Sequence, residues 1–244
     1  MSDARDLLLA TRNAHKLREF ARLLEPAGIA VSPLPEEIEL PPEDGSTFVE
    51  NALPKARAAA LQTGRIAIAD DSGIEAEALG GAPGVRSARY AGPSPTDEAN
   101  LQKLMCEAPA GSPLRYVCVI AYVDPRNGQE RLFHGECRGR LAAKARGSRG
   151  FGYDPAFIPE GEVDERTMAE LSDQEKDAIS HRGRAARALA EWLASREPGL
   201  PPGEAEQPSQ AGPPPGQAEQ PSQAGPPAGQ AEQPPEAGTP VLEP

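Results

Sequence analysis

At 244 residues and a net charge of −12, the chain is long enough for one large domain or two small ones. Its acidity excludes a general nucleic-acid binder, which would need a basic face. Three cysteines, Cys106, Cys118 and Cys137, lack any CxxC spacing, which excludes a disulfide framework or a zinc site and points to a reducing compartment. The acidic start MSDARDLLLA does not read as a signal peptide and no segment approaches a membrane span, so the expectation is a soluble, cytoplasmic protein with no membrane partner.

In chain order, DLLLAT reads as a short buried strand running into a polar loop. The next segment, AHKLREFARLLEPAG, carries Leu17, Phe20, Ala21 and Leu24 at helical spacing, with Gly28 as a stop. IAVSPL follows as a second strand. STFVENALPKARAAALQTG predicts a helix opened by a Thr47–Glu50 capping box and closed by Gly64, with Pro54 expected to kink it or shift its start. IAIAD is a strand expected to deliver Asp70 and Asp71 at its C-terminal end.

After a glycine-rich loop, PTDEANLQKLMCEA reads as a helix, and RYVCVIAYVD and ERLFHGECRGRL as strands of a hairpin turned at PRNG. The stretch ending TMAELSDQEKDAISHRGRAARALAEWLAS carries a terminal amphipathic helix with Leu189, Trp192 and Leu193 on one face. The pattern predicts an α/β fold with a mixed central β-sheet flanked by helices, with strand-end loops lining a cleft. From residue 197 the composition changes: about half of the 28 prolines lie there, Lys, Arg and aromatic residues are absent, and a unit near GQAEQPSQAGPPA recurs. Such a segment buries too little apolar surface to order itself, so residues 1–196 are read as the globular domain and 197–244 as a disordered repeat tail. Seven of the twelve net negative charges belong to that tail.

The residues that carry chemistry are scattered through the first part. Thr11, Asn13 and Lys16 stand at a strand-to-helix junction, which reads either as an ordinary helix cap or as an anion site with free N–H groups and an added cation. Glu43 and Lys55 flank the next helix start, where acids serve as dipole partners or, alternatively, Glu43 as a metal ligand and Lys55 as a phosphate cation. Asp70 and Asp71 followed by Ser72 suit a hard divalent cation, against the alternative of a turn or cap. Arg86 and Arg89 come soon after. Phe151 and Tyr153, on a glycine-flanked loop, either receive a planar ring or pack in the core. Lys176, His181 and Arg182 form a last cluster. With no HExxH, GxSxG or Walker motif, what remains is carboxylates for Mg²⁺, Lys and Arg for phosphates, and an aromatic-His-Arg pocket for a base. That set describes a nucleotide polyphosphate site; a sensor that binds without turnover is the rival reading.

Five collinear blocks, ATRNAHKLREF, EDGSTFVENALPKA, IADDSGIEAEALGGAPGVRSARYAG, GFGYDPAF and TMAELSDQEKDAISHRGRA, resemble the inosine triphosphate pyrophosphatase family. The resemblance implies an elongated α/β fold with two lobes and an active-site cleft between them, a homodimer, and Mg²⁺-dependent hydrolysis of dITP, ITP and XTP to monophosphate and pyrophosphate. By position it implies that Thr11, Arg12, Asn13, Ala14, His15 and Lys16 bind the triphosphate. Asp71 becomes metal ligand and proton acceptor, Glu43 a second ligand, and Ser72 a substrate contact. Phe151, Gly152, Tyr153, Asp154, Lys176, His181 and Arg182 surround the nucleoside, with Asp70, Lys55 and Arg89 in support. Two departures stand out: Asp177 occupies a position where the family has Asn or a small polar residue, adding a negative charge beside Lys176, and Pro54 interrupts the ENA..KA helix just before Lys55, which bears on where Lys55 is aimed.

Overall fold

The computed structural model describes residues 5–196; the tail read as disordered lies outside the described residues. Six strands form one sheet: β1 (Asp6–Leu9), β2 (Ala30–Pro33), β3 (Ala67–Ala76), β4 (Pro113–Asp124), β5 (Gln129–Leu141) and β6 (Phe157–Pro159), in the order β2-β1-β3-β4-β5-β6. β1 runs parallel to β2 and β3, and the β3–β4, β4–β5 and β5–β6 pairs are antiparallel, so the sheet is mixed. The helices are α1 (Ala14–Leu24), α2 (Phe48–Thr63), α3 (Asp97–Glu107), α4 (Asp173–Ile179) and α5 (His181–Ala194). None of the described helices is long and apolar enough to cross a membrane.

Strand alternation sorts the core. Leu8, Ala67, Ala69, Val119 and Ala121 face α2, whose Ala52, Ala56, Ala59 and Ala60 are small enough to let the helix lie close on the sheet. Leu7, Leu9, Ile66, Ile68, Ile120 and Tyr122 face the other way, onto Phe20 and Leu24 of α1 and Ala185, Ala186 and Leu189 of α5. A third cluster beneath α3 joins Ile74, Leu101, Leu104, Tyr116, Phe157 and Met168.

The Thr47–Glu50 capping box and the left-handed Gly64 (φ 65°) bound α2 where the sequence places them. Pro54 lies inside α2, and the helix still starts at the Thr47 capping box, so of the two expected effects the shifted start does not occur. The capping box fixes the start, and the missing N–H removes only one bond of the helical ladder. A second correction concerns β3, which continues through Asp70 and Asp71 to Ala76. Those residues pair with Ile120 and Val119 of β4, so the acids sit in mid-strand rather than at its end. The expected terminal amphipathic helix is α5, with Leu189, Trp192 and Leu193 packed in one core cluster, and a short helix, α4, precedes it. Ser180 leaves helical geometry (ψ 155°), and its side chain accepts the Gly183 N–H (3.0 Å), separating α4 from α5. That break turns Lys176 and Arg182 towards one cleft. α5 can approach β5 because Gly135 has no side chain; a Cβ there would meet the His181 carbonyl at 2.0 Å.

Candidate functional site

A cleft of about 330 Å³ opens over the middle of β3, lined by residues of all five sequence blocks. Its organisation follows from the two adjacent aspartates. Because side chains alternate across a strand, Asp70 points to the α1/α5 face and Asp71 to the α2 face, so the pair does not share one partner set. Asp70 is fully buried and bound by Lys16 Nζ (2.9 Å) and Arg182 Nη2 (3.3 Å). Burial raises its pKa, but Lys16, Arg182 and Lys55 outweigh that and hold it well below the ordinary carboxylate range.

Asp71 lines the cleft and has no cation within ion-pair distance among the described residues. Its Oδ2 accepts Asn51 Nδ2 (2.9 Å) and its Oδ1 the Ser72 N–H (3.0 Å). Burial pushes its pKa up and the charge of Glu43 adds to this, against the lowering effect of Asn51, Lys16 and Lys55. Glu43 also lines the cleft, on the 34–47 connection. Lys55 Nζ binds the Glu43 carboxylate and the Asp70 carbonyl (2.7 Å), while Arg89 donates to the Glu43 carbonyl (2.5 Å). Neither Lys55 nor Arg89 lines the cleft. The Lys55 ammonium is engaged by Glu43 and the Asp70 carbonyl, away from the cleft lining.

Among the described residues no three His, Cys, Asp or Glu gather as a metal cage. Two cleft carboxylates nonetheless fit a small hard cation, which takes one or two protein carboxylates and completes its shell with water and phosphate oxygens. Asp71 forms no ion pair among the described residues, while Glu43 is paired with Lys55.

At the N-terminal turn, Asn13 caps α1, its Oδ1 accepting the N–H groups of His15 (2.8 Å) and Lys16 (3.2 Å). Thr11, Arg12, Asn13 and Lys16 line the cleft. Ala14 and His15 are exposed and do not, since the first turn of α1 carries them outward. The His15 ring instead meets Phe151 at 5.2 Å.

The opposite end is a saturated ionic network. Lys176 Nζ donates to Glu19 (2.7 Å) and Asp154 (2.7 Å), and Arg182 donates to Glu19 and to Ser72 Oγ (2.9 Å). Burial raises the Glu19 pKa, but Arg182 and Lys176 more than offset it and the net shift is downward. Phe151 lies above these cations, with Lys176 Nζ at 5.2 Å and the Arg182 guanidinium at 5.6 Å from its ring centre. Gly152 N–H donates to Asp97 (2.9 Å), which fixes the loop. Tyr153 lines the cleft, is largely buried, and its hydroxyl donates to the Ser87 carbonyl (2.7 Å). His181 stacks on Tyr116 (4.5 Å, 5°), and Tyr116 donates to Asp154 (3.2 Å). Burial and then Arg182 hold the His181 pKa well below its ordinary value, so the ring is neutral. Among the described residues three buried side-chain atoms lack a protein partner: Asp70 Oδ1, and Arg182 Nε and His181 Nδ1 on two residues that line the cleft.

The charge of Asp177 does not act on Lys176 alone. Arg22 binds both Asp177 oxygens (one at 2.9 Å) and Asp173 (3.0 Å), taking the extra charge on the outer side of α4. Sequence reasoning passed over Glu19, Tyr116 and Asp97. The one available signal was the position of Glu19 beside Phe20, at the edge of the apolar stripe of α1.

The sheet and this cleft define an α/β protein with an acidic end, a cationic middle and an aromatic-covered ionic end. The chain belongs to the Ham1 family, whose model matches residues 7–192. The dITP/XTP pyrophosphatase of Symbiobacterium thermophilum is 50% identical over 196 residues, covering 79% of this chain and 98% of its own. That of Cutibacterium acnes is 47% identical over 191 residues, covering 75% and 93%. Among solved structures, a HAM1 protein from Coxiella burnetii matches with a TM-score of 0.70 at 43% identity, over 78% of this chain and 99% of its own.

Proposed function

We propose that this chain hydrolyses the noncanonical purine nucleoside triphosphates dITP, ITP and XTP to monophosphate and pyrophosphate, with Mg²⁺, and so removes them from the nucleotide pool. The relatives' activity supports the reaction class. The observation that carries the base preference is the buried Arg182 Nε, an N–H donor without a partner on a cleft-lining residue. A keto oxygen at purine position 6 satisfies such a donor, as it would an Nδ1–H tautomer of neutral His181. An adenine amino group leaves it unpaired, at roughly 1–3 kcal/mol per group.

Glu43 and Asp71 are the residues that would hold the cation, which when bound neutralises phosphate oxygens and eases deprotonation of water. Asn51 and the Ser72 N–H orient the Asp71 carboxylate, leaving its other lone pairs to the cleft. In this reading Asp71 accepts the proton of a water attacking the α-phosphorus. The bond from that phosphorus to the bridging oxygen breaks and pyrophosphate leaves. Lys16, held by Asp70, stands at the phosphate end, and Phe151 offers its face to the base. Residues 1–196 form the catalytic unit, and the family resemblance adds a homodimer.

Product-resolved hydrolysis of dITP, XTP, dATP and dGTP, with and without Mg²⁺, tests this. Monophosphate and pyrophosphate from dITP and XTP, only with metal, is the expected result. Binding without turnover would make the protein a sensor.

A further inference from the structure

Arg12 differs from its neighbours in the N-terminal turn by what it grips. Its guanidinium donates to three main-chain carbonyls, those of Leu34 (3.1 Å), Glu36 (3.1 Å) and Ile38 (2.7 Å). It makes no ion pair among the described residues. These carbonyls form the root of the 34–47 connection between β2 and α2, which has no helix or strand of its own and carries Glu43. From the other side the same stretch is anchored by the buried side chains of Leu34 and Ile38. Further along, Arg89 holds the Glu43 carbonyl and Lys55 its carboxylate, and the Gly45 N–H donates to Asn51 Oδ1 (2.8 Å). Asn51 in turn holds Asp71. The connection is therefore fastened at its root by Arg12 and at its tip by Arg89, Lys55 and Asn51.

We infer that Arg12 is a positioning residue: its planar fork pins the 34–47 connection so that Glu43 stands opposite Asp71, coupling the N-terminal turn to the second carboxylate. The fork reaches these carbonyls from two nitrogens, Nη1 to Leu34 and Nη2 to Glu36 and Ile38, whereas a lysine ammonium offers its donors from one flexible point and fixes the geometry less. The inference rests on reading the cleft as a phosphate and metal site, and it reassigns Arg12 from phosphate ligand to support for Glu43.

The test compares the full-length wild type with Arg12→Lys and Arg12→Ala. Amide hydrogen exchange of the metal-free proteins reads the connection directly. Both variants are expected to exchange about tenfold faster within 34–47, with β3 and β4 unchanged. In dITP hydrolysis both are expected to need about tenfold more Mg²⁺ for half-maximal rate, the size of effect found for groups that orient a ligand, with activity recovered as Mg²⁺ is raised. KM for dITP at saturating Mg²⁺ should move far less. The inference is overturned if Arg12→Lys matches the wild type in exchange and Mg²⁺ requirement while Arg12→Ala raises only the dITP KM, since charge alone would then matter. Faster exchange across the whole sheet, or faster loop exchange without a change in Mg²⁺ requirement, also overturns it. Failure of the functional reading looks different: the wild type itself would not turn over dITP, whatever the exchange pattern.

Discussion

The two ends of the cleft balance charge in opposite ways. At the Lys176–Arg182 end, each buried cation meets a carboxylate of the chain, with Glu19 bound to both, Asp154 to Lys176 and Asp70 to Arg182. At the Asp71 end, the carboxylate has no ion pair and its pKa is raised, while Arg12 spends its charge on carbonyls. The first end is balanced in charge without ligand yet keeps unpartnered polar atoms on Arg182 and His181, which suits reading a neutral base by shape and hydrogen bonding. The second is left unbalanced, which suits phosphates arriving with a divalent cation. The opposite facing of Asp70 and Asp71 produces this division: one acid belongs to the scaffold and its neighbour to the chemistry.

The strongest way to break the comparison is to neutralise each acid in turn. Asp71→Asn should lower kcat by about 10²–10⁴-fold, the usual share of a general base, while its melting temperature stays level or rises because a strained buried charge is removed. Steady-state kinetics and calorimetry on one preparation read both. Glu19→Ala should instead act on stability, since it leaves Lys176 and Arg182 without their shared counter-charge. A loss of about 3–5 kcal/mol in denaturant unfolding is expected.

A pH series sharpens the same contrast. Folding lowers the Glu19 pKa from its ordinary 4.5, so its contribution is fully present above that value and is lost as pH falls through it towards the folded value. Wild-type melting temperature should therefore fall more steeply than that of Glu19→Gln as pH drops below about 4.5. Arg22→Ala, on α1 where its partly exposed side chain bridges to α4, should cost only about 0.5 kcal/mol and leave the dITP KM unaltered. Removing residues 197–244 should change neither kcat nor KM, which a truncated chain would show.

Much of this was legible in the sequence because it is local. Thr47, Glu50 and Gly64 bound α2 by chemistry contained within the segment, and the PRNG turn joins β4 to β5 as read. The blocks that carry the family resemblance also name most residues that line the cleft. What stayed hidden depends on partners far along the chain. Asp70 looks like the polar end of a strand until Arg182 and Lys16 neutralise it inside the sheet. Glu19 looks like one more surface acid of α1 until Lys176 and Arg182 arrive, more than 150 residues later in the chain. Lys55 and Arg12 carry charges that suggest phosphate, and only the structure shows one bound to Glu43 and the other gripping carbonyls.

The most direct test of the account is hydrolysis of dITP in ¹⁸O-labelled water with mass analysis of both products. Attack at the α-phosphorus, next to Asp71, predicts one ¹⁸O in the deoxyinosine monophosphate and none in the pyrophosphate. Label in pyrophosphate, or release of orthophosphate, would contradict the assignment of Asp71 and the orientation of the nucleotide in the cleft.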